Sequence, residues 1–134
     1  QKRPYSASAL HDVCGQATKN INYLGMFNQT RPPNLSDWEG GWPDERRRTV
    51  ARRIRRGPSS ADEAWALIQS VVQHPWAQRE VWLFLGQILS KSQLEEHLGR
   101  GVPTPEAVQA AYLLHGTMTT VASIGATLRV FCYP

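Results

Sequence analysis

Apolar residues recur at helical spacing early in the chain. Leu10, Val13, Cys14, Ala17, Ile21 and Leu24 follow the i, i+3, i+4, i+7 rule. The pattern predicts an amphipathic helix over residues 6–24, capped by Ser6 or Ser8 and stopped at Gly25. Prolines, glycines and short polar residues interrupt every period in residues 26–43, which predicts a linker. Trp38 and Trp42 lie in it. A tryptophan in a loop either anchors that loop to a core or offers a contact surface.

Helical period then returns. Over residues 44–56, Asp44 and Glu45 suit the first turn of a helix and Gly57 with Pro58 its end. Val50, Ala51 and Ile54 form a narrow apolar stripe. Arg48, Arg52, Arg55 and Arg56 cover the opposite side, Arg46 and Arg53 a flank, and Arg47 the apolar edge. Ser60 with Glu63 makes a capping box for a helix over residues 60–73, broken by His74 and Pro75. Residues 76–89 are apolar nearly all round through Val81, Trp82, Leu83, Phe84, Leu85, Ile88 and Leu89, which predicts a central helix of a bundle. Ser92 with Glu95 opens a short helix ending by Gly99 or Gly101. Thr104, Pro105 and Glu106 open another, running to about residue 121.

The tail from Ala122 to Pro134 alternates. Ala126, Leu128, Val130 and Cys132 face one way and Thr127, Arg129, Phe131 and Tyr133 the other, as in a strand. With no second strand in the pattern to pair with it, continuation of the helix is the preferred expectation. The elements add up to an all-α bundle of five or six helices with an extended, Arg-rich N-terminal third. Residues 1–58 carry the first helix, the linker and the arginine helix. Residues 59–134 form the compact bundle, the two making one structural unit, with a C-terminal strand as the alternative.

Composition fits a single ordered domain: 134 residues, 41% hydrophobic and 19% charged. The net charge of +4 is unevenly spread. Residues 44–56 hold seven arginines (Arg46, Arg47, Arg48, Arg52, Arg53, Arg55 and Arg56) against Asp44 and Glu45. All other residues together carry eight positive and nine negative charges. Two cysteines exclude a disulfide-dense scaffold. Cys14 and Cys132 are either core thiols or one bond closing almost the whole chain, worth roughly 4–5 kcal/mol in the chain-entropy picture. The first residues show no apolar signal-peptide region. Residues 107–128 lack formal charge, but Gln109, His115, several threonines and two glycines favour a packed helix over a membrane span.

Arginine presents planar, bidentate donors that match phosphate and never loses its charge. Seven arginines without a lysine therefore point to nucleic-acid phosphates, bound independently of sequence through counterion release. Trp38 and Trp42 could add base stacking. The expectation is a structural protein that packages or coats DNA or RNA, of the viral nucleocapsid or coat class. It would assemble as a homo-oligomer in a virion or intracellular nucleoprotein complex. Two alternatives use the same residues. Arg53, Arg55 and Arg56 resemble a furin-like cleavage site, and Asn28 and Asn34 begin glycosylation sequons. With a Cys14–Cys132 bond these suit a secreted or viral envelope glycoprotein. The other alternative is an interaction module that meets an acidic protein. No phosphate-binding glycine loop, nucleophile elbow or HExxH motif is present, and Glu95 and Glu96 are adjacent rather than opposed. His11, Cys14 and Cys132 lack a further ligand at zinc spacing. No enzyme activity, metal, cofactor, small-molecule substrate or membrane contact is expected.

Overall fold

A computed structural model describes residues 6–43 and 49–134. The elements are α1 (Ala7–Asn20), β1 (Trp42–Pro43), β2 (Thr49–Val50), α2 (Ala61–Val72), β3 (Glu80–Ser90), α3 (Lys91–Leu98), α4 (Pro105–Ser123) and β4 (Thr127–Tyr133). Single 3₁₀ turns lie at Ile21–Leu24 and Leu35–Trp38. The all-α expectation is overturned. Four α-helices accompany an antiparallel pair, β1 with β2, and a parallel pair, β3 with β4, among the described residues.

The chain divides into two compact units. A discontinuous unit joins the described residues up to Gly25 with Gln78–Pro134. An inserted unit comprises the described residues of Met26–Ala77.

The discontinuous unit is built on β3 and β4. Parallel strands require a long crossover, and α3 and α4 supply it. The helix expected over residues 76–89 is a strand from Glu80 to Ser90. Its apolar residues are not alike: Leu83 and Leu85 are buried, while Trp82 and Phe84, which alternate with them, are exposed. That is the period of a pleated strand, hidden in the sequence because both faces carry large apolar side chains. Gly86, at φ +50°, sits where the register with β4 shifts, a left-handed position that favours glycine. The tail is likewise a strand rather than a helical continuation, and β3 is the partner that the sequence pattern concealed.

The core lies where α1 and α4 meet β3. Leu10, Cys14, Leu83, Leu85, Leu89, Ala107 and Ala110 are buried there. Ile21, Val121 and Ala126 extend it. Small residues on α4 allow close approach. Its threonines bond back to their own helix: Thr117 to Leu113 O at 2.8 Å, Thr119 to His115 O and Thr120 to Gly116 O at 3.0 Å. No helix among the described residues is long and apolar enough to cross a membrane.

Helix starts follow local chemistry. The hydroxyls of Ser6, Ser60 and Thr104 accept from the backbone N–H three residues on. Pro105 occupies the first turn of α4. For α3 the cap is Ser90, not Ser92, so the helix begins directly where β3 ends.

The inserted unit has a small core. Leu35, Ala61 and Ala64 are buried. The Trp38 ring meets Trp65 of α2 edge-on, with centroids 6.4 Å apart. Glu39 accepts from Ala61 N at 2.7 Å, and Arg31 pairs with Asp62 at 2.7 Å. Both contacts place a carboxylate at the start of α2, where its free N–H groups and dipole favour one.

Candidate nucleic-acid interface

The arginine segment is the most charged part of the sequence. Arg46, Arg47 and Arg48 lie outside the described residues, so the first half of the expected helix does too. The second half is not a helix. Thr49–Val50 is a strand, and residues 51–56 run as irregular chain. One cause is local and the other tertiary. Arg48, Arg52 and Arg56 fall at i, i+4 spacing, where like charges oppose a helix. Backbone partners are also found elsewhere: Arg53 N donates to Gly40 O at 3.1 Å and Ile54 N to Trp38 O at 3.3 Å. With Trp42 opposite Val50 in the β1–β2 pair, residues 50–54 run beside residues 38–42. Gly41 permits this approach. A Cβ there would stand 2.9 Å from Val50 O. Gly57, expected to end a helix, instead turns the loop at φ +122°.

The hairpin sorts the predicted site residues. Trp42 is 59% exposed, whereas Trp38 is half-buried against Trp65. One tryptophan anchors the loop and the other offers a surface. The Arg53 guanidinium lies over the Trp42 ring, 5.1 Å from its centroid. Arg52 donates to Ser59 O, which ties the segment to the approach to α2. Arg55 and Arg56 are exposed. Arg52, Arg53, Arg55, Arg56 and Trp42 thus share one short stretch of hairpin and following loop. Arg31, not singled out in the sequence, is spent on Asp62. Beside it, Ser59 donates to Glu63 through its hydroxyl at 2.9 Å and its backbone N–H at 3.1 Å. These bonds, the side-chain one first, hold the Glu63 carboxyl below the ordinary carboxylate range.

The remaining candidates lie apart from the hairpin. Asn28 is half-buried and its Oδ1 accepts from Thr30 N at 2.9 Å, while Asn34 is exposed before the Leu35–Trp38 turn. Cys14 and Cys132 are free thiols that pack in the same apolar cluster of the discontinuous unit. Among the described residues, no three His, Cys, Asp or Glu side chains converge as a metal site would require. His11 and Cys14 line a shallow groove of about 240 Å³ with Tyr112 and Thr117. Searches of protein-family models, curated proteins and solved structures found no match to this chain.

Proposed function

We propose that the chain is a nucleic-acid-binding structural protein that meets phosphates through its arginine hairpin and loop and packages or coats DNA or RNA. The observation that carries this reading is the exposed Trp42 with Arg53 over its ring, beside exposed Arg52, Arg55 and Arg56. A cation and an aromatic face at one spot suit a strand whose phosphates and bases alternate. The arginines are presented by an extended chain, so the contact is a tracked backbone rather than a helix in a groove. Nothing in this arrangement reads base edges, and binding is independent of sequence.

The test is affinity for single-stranded and duplex oligonucleotides over a range of salt. Replacing Arg52, Arg53, Arg55 and Arg56 together by alanine lowers the duplex salt slope by roughly three to four, about 0.9 for each phosphate no longer neutralised. Trp42→Ala weakens single-strand binding by about 1–3 kcal/mol and affects duplex binding less. An unchanged slope in the arginine variant overturns the proposal.

A further inference from the structure

The outer face of the β3–β4 sheet is apolar, aromatic and uncovered. Trp82 is 54% exposed, Phe84 68%, Phe131 42% and Tyr133 63%. Phe84 lies opposite Phe131 in the parallel register, and Trp82 opposite Arg129. The Phe84 and Phe131 rings stack at 4.8 Å and 13°. That separation equals the spacing of neighbouring strands, so both rings stand up from the sheet and lean on each other. Trp82 meets them at 5.3 Å and 6.0 Å with tilted planes. Its indole N–H donates to Glu80 at 2.8 Å, so its polar atom is satisfied and its ring is left as apolar surface. Arg129 closes the row with a 2.7 Å pair to Glu80.

We infer that this face is a self-association surface that takes the same face of a second copy of the chain. Charge supports a like partner. The face has no net charge, Glu80 offsetting Arg129, so two copies of it meet without net repulsion. The face carries one acid and one base at the same end. A twofold pairing can therefore set the Glu80–Arg129 pair of each copy against an opposite charge on the other. The same neutrality gives a polyanion no purchase. The ring geometry disfavours nucleic acid too, because rings stacked on one another present edges, and a base needs an open face. Size sets the strength. Four aromatic side chains of about 150–250 Å² each, a little over half exposed, present about 450 Å² per copy. Pairing removes about 900 Å², below the usual 1,200–2,000 Å² of stable complexes and within the range of weak, reversible ones. The dimer therefore forms with concentration.

The inference is independent of the arginine reading and is tested on the full chain by sedimentation across a wide concentration range. The expected result is a reversible dimer whose dissociation constant rises at least about tenfold in Phe84→Ser with Phe131→Ser. Neither side chain is part of the buried core, and circular dichroism checks that the fold persists. Phe84→Leu, which keeps an apolar side chain, stays within about threefold of the parent. High salt leaves the dimer intact, and the fourfold arginine variant still dimerises while losing nucleic acid. A chain that is monomeric at every concentration overturns the inference. So does a dimer unaffected by the double serine variant, or loss of nucleic-acid or vesicle binding in that variant without any dimer in the parent.

Discussion

The two units put their chain to opposite ends. The discontinuous unit spreads its few charges thinly and buries Leu10, Leu85, Ala107, Ala110 and Val121 at 1% exposure or less. The inserted unit carries every arginine of the basic segment and only three buried apolar residues, Leu35, Ala61 and Ala64, among those described. Its chain is held by backbone bonds between neighbouring loops, a tryptophan pair and carboxylates on the first turn of α2. Large charge and a large core compete for the same residues in a short chain. Here they have been separated.

The largest effect that tests this contrast is Leu85→Ala. It removes a buried side chain from the meeting of helices and sheet, and it destabilises by about 2–5 kcal/mol in urea unfolding. Arg55→Ala and Arg56→Ala, at exposed loop positions, change stability by no more than about 0.5 kcal/mol while weakening nucleic-acid binding. Equal losses in both units would dissolve the distinction.

Glycines provide a middle-sized test within the discontinuous unit. Gly86→Ala forces a side chain into left-handed backbone at φ +50° and costs about 1–2 kcal/mol. Gly15, in the body of α1 with nothing within 4 Å of its added Cβ, behaves oppositely. Gly15→Ala gains about 0.5–1 kcal/mol through helix propensity. Thermal midpoints of the two variants should move in opposite directions.

The smallest effect is one of pH. The hydrogen bonds from Arg129 and then Trp82 hold Glu80 below the ordinary carboxylate range. A carboxylate with a depressed folded value contributes stability above its unfolded value. That contribution fades as pH falls through the folded one. Acidification through that window should release Trp82 and Arg129. The indole N–H resonance of Trp82 reports this by shifting with a midpoint below the ordinary range. Glu80→Gln should abolish the shift with little change in stability, since the pair is solvent-screened.

These elements also mark what the sequence could convey. Helices with a polar cap and one apolar face were legible: Ser60, Thr104 and the stripe from Leu10 to Leu24 suffice to place α2, α4 and α1. The sheet was not, for one compound reason. Trp82 and Phe84 are apolar but face outward, so the alternation of β3 disappeared into a continuous run. Without β3, the visible alternation of β4 lacked a partner. Glycine at position 86 and the aromatic, β-branched content of the run were the available signals. The arginine segment failed differently. Its apparent stripe of Val50, Ala51 and Ile54 is short, and tertiary backbone bonds to Gly40 and Trp38 outweigh it. The exposure of Trp42 and the anchoring of Trp38 depend on chain crossings that no local pattern encodes.

The insertion has a consequence in time. At a synthesis rate of about 5–20 residues per second, the 52 residues between Gly25 and Gln78 take roughly 3–10 seconds to emerge. Throughout that delay α1 has its apolar stripe made but its strand unborn. β3 in turn waits for β4 until both crossover helices have been made. The inserted unit is one continuous stretch of chain and has no such wait. The inserted unit can therefore be folded while the discontinuous unit still exposes apolar surface. Nascent-chain arrest just after β3 should produce the species most dependent on a chaperone.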